Sequence, residues 1–363
     1  MSWRRNSTAG LRRLALVLAS FTLLIVCARV AVAAKAPRFW SGQVAVEQAY
    51  NDNVQQENGG LQSGDFITSV SGQLAFNEPK RKPLPYRLGM GILGRIYADL
   101  PDYSYVEINP EAEVELLPRT DGVIGYWYSP RRLLFEEESN GDNVLYAEHG
   151  VSAALQHKLG ARKQLRLELG FEGVWDDYRS KDDDRDSFTP ALLAEVRYRL
   201  TPAALGLGVT PRFGFEYQWR DAHRDNYDRE VAILQPGIDV DLPRGLMLRF
   251  RFERYFRDYS VDAAKEDGGR RNNNFDRHDD IEQYQTWLTA PLPLVERLTA
   301  GLRYRFRRGA YDEPNHKTPA GTIGVHHDFD VHEVGVELAY AFGGAGKVAA
   351  IAPPPRHDSG DNK

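Results

Sequence analysis

The stretch LTAGLRYRF, residues 298–306, sets Leu298, Ala300, Leu302, Tyr304 and Phe306 against Thr299, Gly301, Arg303 and Arg305. A period of two belongs to an extended chain, whose alternate side chains leave opposite faces. One face here is apolar and the other carries two guanidinium groups. The same alternation returns over Leu246–Glu253, Leu165–Glu172 and Leu205–Trp219. The last of these runs for about 15 residues, well past the roughly 5–6 of a strand in a soluble domain. No amphipathic helix of comparable strength competes with it.

Working outward, fourteen such segments follow one another, at about 39–51, 65–77, 86–98, 104–116, 122–136, 144–158, 164–178, 188–200, 205–220, 229–242, 246–259, 279–291, 296–311 and 329–342. Each matches or exceeds the roughly 9–11 residues that a tilted strand needs to cross a bilayer. The links alternate in character. Gly160–Lys163, Thr201–Ala204 and Pro243–Gly245 are tight, whereas Arg179–Ser187, Ser260–His278 and Asp312–Asp328 are long and polar. The link at Asn77–Pro85 is long for its side, and the one at Leu100–Pro101 is short for its own.

Large aliphatic residues hold mid-strand positions on the apolar face. Trp40, Tyr50, Tyr86, Tyr178, Trp219, Tyr340 and Phe342 stand near strand ends, as in an aromatic girdle. Lipid cannot hydrogen-bond a sheet edge, so such a sheet has to close on itself. The expected fold is therefore all-β, a closed antiparallel transmembrane barrel of about 14 strands with short periplasmic turns and longer extracellular loops. A soluble sandwich or propeller fits less well, because no blade-length repeat is visible.

Composition narrows the class further. The chain has 363 residues, 42% hydrophobic and 27% charged, with one cysteine. A mean hydropathy of −0.50 excludes a bundle of membrane helices. Residues 1–34 have the layout of an export signal: Arg4, Arg5, Arg12 and Arg13 in front, an apolar Leu14–Ala28, and small residues at Ala31-Val32-Ala33. Val26 ahead of Cys27 argues against a lipoprotein anchor. Cleavage would leave a cysteine-free chain with 41 basic and 51 acidic residues, which disfavours nucleic acid as a partner. The expected division is a signal at 1–34, a barrel at 35–342, and a mobile, proline-containing periplasmic tail at 343–363.

The segment EVGVELAYAF, residues 333–342, resembles the C-terminal assembly signal of Gram-negative outer-membrane β-barrel proteins, with Glu333, Gly335, Leu338, Tyr340 and Phe342 at the matching positions. It departs from that pattern in having 21 residues after Phe342. The first strand ends in Tyr50-Asn51-Asp52-Asn53-Val54, which is similar to the opening strand of barrels linked to extracellular polysaccharide export and to surface-lipoprotein assembly. The helical-repeat domain of the latter is missing here. The resemblance implies an outer-membrane location, with lipid, lipopolysaccharide and the barrel-assembly machinery as partners.

The polar face is unusually charged. Glu107, Glu111, Glu113 and Glu115 share a face with Asn109, and Arg197, Arg199, Arg212, Arg249, Arg251, Arg257, Arg303, Arg305 and Arg307 occupy inward positions on later strands. Such density needs water or counter-charge. One reading is a wet lumen with an acidic and a basic wall, whose transverse field orients solutes. The other is mutual pairing that plugs the lumen. The first leads to the main expectation, a porin-like channel, passive or gated, for small polar or charged solutes; the second leads to a plugged or gated lumen. An export or assembly barrel is the alternative.

Sharper motifs carry less. Gly89-Met90-Gly91-Ile92-Leu93-Gly94 matches a dinucleotide fingerprint but falls inside a strand, where small residues relieving crowding is the simpler account. His326, His327 and His332 with Asp328 and Asp330 fit no familiar metal site and read as solvated loop residues. Asp182-Asp183-Asp184 and Asp279-Asp280, placed in outer loops, could bind calcium or bridge lipopolysaccharide. A barrel hydrolase would have to use His278 with Asp279 or His223 with Asp225, and neither sits in a recognisable motif. No catalytic group, metal or cofactor is expected.

Overall fold

A computed structural model describes residues 40–53, 64–77, 86–98, 100, 104–134, 144–160, 164–178, 186–200, 207–222, 229–259, 277–293, 295, 297–313 and 325–343. The strands among them are β1 (Trp40–Asn51), β2 (Asp65–Asn77), β3 (Tyr86–Tyr97), β4 (Tyr105–Leu117), β5 (Thr120–Leu134), β6 (Val144–Leu159), β7 (Leu165–Tyr178), β8 (Ser187–Tyr198), β9 (Gly208–Ala222), β10 (Arg229–Asp241), β11 (Met247–Tyr259), β12 (Arg277–Pro291), β13 (Leu298–Glu313) and β14 (Val325–Gly343). Each pairs antiparallel with its sequence neighbours, and β1 pairs with β14, so the sheet is a closed barrel. The seam runs in register from Ser41 opposite Gly343 to Asn51 opposite Glu333.

Alternation decides which side chains point out. On β4, Val106 and Ile108 are 46% and 40% exposed while Glu107 between them is 1% exposed. The outer face is apolar in mid-strand, as in the row Leu248, Leu288, Leu302 and Val336 across four neighbouring strands. Aromatic rings bound this face at both ends. Trp40 and Phe76 meet edge to face at 5.2 Å near the tight links, with Tyr86 beside them. Toward the long links, Tyr50 lies on Phe66, Trp175 stacks on Phe188, and Phe252, Tyr284 and Phe306 form a continuous row. From Trp40 to Tyr50 is ten residues of β1, which at ~3.3 Å per residue and a ~40° tilt spans roughly 25 Å, the height of an apolar barrel belt. Past the second girdle the outer face changes abruptly: Arg254, Glu282, Arg308 and Asp330 stand side by side with alternating sign.

The tight links are made by backbone that bulky residues seldom adopt. Leu117 pairs with Thr120 across a two-residue turn in which Arg119 has φ 74°, and Pro243–Gly245 turns through Arg244 (φ 64°) and Gly245 (φ 79°). Between β8 and β9 the ladder persists through a Leu200–Val209 bridge.

Three expectations need correcting. Residues 326–328 are not in a loop, because β14 begins at Val325 and pairs with β13 as far as Glu313. Asp279 and Asp280 likewise belong to β12, where Asp279 is buried inside and Asp280 faces out to pair with Arg254. Polar hairpins that continue past the apolar belt lose the alternation that marks a strand, so sequence reads them as loops. The third concerns the glycines of β3. Gly89 and Gly91 do not relieve crowding, because a Cβ there would meet nothing nearer than 3.7 and 3.4 Å. The expected signal at 1–34, the tail beyond Gly343, Asp182–Asp184, His223 and Asp225 lie outside the described residues.

Candidate functional site

The interior of the barrel holds the chemistry. Every acidic or basic residue singled out on β4, β8, β9, β11 and β13 occupies an inward position. What the alternation could not show is how these charges are grouped.

On one wall, Arg87 of β3 lies 3.2 Å from Glu111 and 3.6 Å from Glu113, so two carboxylates share one guanidinium. Opposite in sign, Asp239 of β10 lies 3.3 Å from Arg249 and 2.7 Å from Arg251, so two guanidinium groups share one carboxylate. Arg249 also lies 6.0 Å from the centroid of the Trp287 ring, within cation–π reach. A third group repeats the second arrangement on β8 and β9, where Glu195 pairs with both Arg197 and Arg212. Glu115, nearer the turn, accepts a hydrogen bond from the Arg119 backbone N–H at 3.5 Å.

The seam carries the largest cluster. Glu333 is fully buried and pairs with both Arg303 and Arg305, and Arg95 reaches it from β3 at 3.6 Å. Asn51 donates its side-chain N–H to Glu333 at 3.3 Å, and Arg303 also meets Glu47 at 2.8 Å. Arg303 and Arg305, for which the sequence left both a basic wall and pairing with carboxylates open, are held by carboxylates of β1 and β14. Sequence reasoning missed Glu47 and Arg95 as members of this cluster, and Glu337 as a residue lining the same cavity as Arg303. The available signal was their inward parity on strands already identified.

The motif residues of the last strand have local reasons to be what they are. A Cβ at Gly335 would come within 2.5 Å of Glu47 Oε1, so glycine leaves room for that carboxylate. The Phe342 ring occupies the space a side chain at Gly42 would fill, packing aromatic on glycine across the seam.

The lumen is not uniform along its length. Toward the long links, inward side chains such as Glu107, Glu148, Glu172, Gln218, Arg257 and Gln283 are buried. That half also contains an unexpected apolar cluster of Val231, Ile233, Tyr255, Ile281, Phe329 and Val331. The interior was expected to be ionic throughout. These residues belong to β10, β11, β12 and β14, one arc of the wall, and their apolar contacts form a small core on its inner face. Toward the tight links a cavity of about 430 Å³ remains open. Gly89, Gly91, Ser69, Ser71, Gly125 and Ser152 strip one side of it, while Arg249, Trp287 and Arg303 project from the other. Two of the described tryptophans, Trp127 and Trp287, face this space. Trp127 lies flat on Gly150, and Trp287 carries Arg249.

Among the described residues no group of three potential ligands stands close enough to hold a metal ion. His332 points outward and hydrogen-bonds Tyr304 through Nδ1 at 2.9 Å.

No protein-family model matches the chain, and no curated protein matches it either. Solved structures are similar at low identity. OmpT, an outer-membrane protein of Vibrio cholerae in its trimer form, is 8% identical, with 84% of this chain and 98% of that one covered and a TM-score of 0.45. OccAB4 of Acinetobacter baumannii is 9% identical over 85% of this chain and 98% of that one, with a TM-score of 0.40. An anion-selective porin from Comamonas acidovorans is 10% identical over 84% and 98%, with a TM-score of 0.39. What the strand pairing itself establishes is a single closed antiparallel barrel, apolar outside and polar at its open end within.

Proposed function

We propose that the protein is an outer-membrane porin-like channel for small polar or charged solutes, with its narrow stretch on the side of the long links. The observation that carries this reading is an apolar outer belt, bounded by two aromatic rows roughly 25 Å apart, around an interior cavity lined by ionised groups. A soluble barrel would gain nothing from that belt. The belt also makes a prediction. Leu288→Arg, at mid-belt, is expected to cost roughly 2–4 kcal/mol in folding into lipid vesicles, read by denaturant titration. A neutral result would mean that this face does not meet hydrocarbon.

The channel reading is tested by planar-bilayer conductance of the purified chain. The wild type is expected to conduct KCl, and Arg249→Glu/Arg251→Glu is expected to move the reversal potential toward cation selectivity, since it inverts the larger charge on one wall. Silence of the wild type at all voltages counts against a channel.

One observation favours a second reading, an export barrel. The open cavity lies toward the tight links, which in outer-membrane barrels face the periplasm. On that reading conductance would appear only when a periplasmic partner or cargo is added.

A further inference from the structure

We infer that the cavity selects zwitterionic solutes, those with an ammonium and a carboxylate separated along one molecule. The inference rests on the channel reading and adds the class of solute. Its basis is a mismatch in how charges are shared. The pairing of Arg87 with both Glu111 and Glu113 leaves one negative charge in excess on the β3–β4 wall. The pairing of Asp239 with both Arg249 and Arg251 leaves one positive charge in excess on the β10–β11 wall. Arg87, Glu111 and Arg249 all line the same cavity.

The remaining charges do not reverse this polarity. Arg95, Arg303 and Arg305 at the seam stand against Glu47, Glu333 and Glu337, three of each sign. The Glu195 group, with two arginines to one carboxylate, lies on β8 and β9 and adds to the basic side.

Space exists beside each excess charge. The Glu111 carboxylate leans over Gly89, where a Cβ would still be 3.9 Å from Oε1, so its free side opens on the bay cleared by Gly89 and Gly91. Across the cavity, Arg249 is held against Trp287, and the indole offers an apolar surface next to the cation. A solute with one sign of charge is attracted by one wall and repelled by the other. A zwitterion satisfies both, and its second contact forms within the same molecule rather than from bulk solution.

Three tripeptides of nearly equal size test this: triglycine, the anion N-acetyl-triglycine and the cation triglycinamide. Their efflux is followed from phosphatidylcholine vesicles containing the full chain, with KCl conductance measured on the same preparation. Triglycine is expected to leave about tenfold faster than either analogue, each of which meets one like charge. Arg249→Gln/Arg251→Gln should bring triglycinamide level with triglycine, and Glu111→Gln/Glu113→Gln should do so for the acetylated peptide. Equal efflux of all three, a charged analogue leading in the wild type, or KCl conductance without passage of any tripeptide each overturns the selectivity and leaves the channel standing. Absence of both KCl conductance and efflux overturns the channel reading and this inference together.

Discussion

Glu333→Leu is expected to destabilise the barrel by about 3–5 kcal/mol, the loss that follows when one partner of a buried ion cluster is removed. The carboxylate has no exposure to solvent, and three guanidinium groups converge on it from β3 and β13. Without it Arg95, Arg303 and Arg305, each only partly exposed, keep Glu47, paired to Arg303, and Glu337 as the neighbouring carboxylates. Urea unfolding in detergent, with the heat-shift of the folded band on a gel as a second readout, would measure the effect. Removing a guanidinium at the same time should return part of it, so Glu333→Leu/Arg305→Leu should lie between the single variant and the wild type. A Glu333→Leu barrel as stable as the wild type would mean that water reaches these arginines and that the seam is wet.

The second large effect is on passage rather than stability. Gly89→Phe/Gly91→Phe is expected to cut conductance about fivefold or more by filling the open part of the lumen, while unfolding shifts by no more than about 1 kcal/mol. Neither glycine has a positive φ, and a Cβ at each meets only ordinary contacts. The added rings therefore have the cavity as the free direction. Single-channel recording beside an unfolding curve separates the outcomes. Unchanged conductance in a folded double variant would place the ion path elsewhere.

The strands were legible because lipid on one side and water or counter-charge on the other force a period of two on every segment. That is why Leu298–Phe306 could be placed to within a few residues and its arginines assigned to the interior. The same physics explains where the reading stopped. Beyond the second girdle the outer face turns polar, as at Arg254, Glu282, Arg308 and Asp330, so the apolar-out alternation ends, and Val325–Asp328 passed for loop although β14 already pairs there. Nor does parity reveal partners. Arg303 and Glu47 are neighbours only because the sheet closes, and Arg95 reaches Glu333 past two intervening strands. Glu333 was visible as the first polar residue of a short motif, but its part in the interior depends on the register of four strands. The interior tryptophans were hidden for another reason. An aromatic residue in a strand suggests a girdle, and only the parity of Trp127 and Trp287 on their strands says otherwise.

The position of Glu333 also bears on how the ends of the sheet find each other. Neighbouring residues of a strand face opposite sides, so a slip of one position between β1 and β14 would turn Glu333 or its partners toward hydrocarbon. A slip of two would keep the facing but carry the carboxylate away from Arg95 and set Gly335 where Glu47 no longer needs the gap. Correct zipping of the first strand to the last is thus checked twice, by polarity and by fit, and a misaligned closure has no low-energy resting place in which to stop.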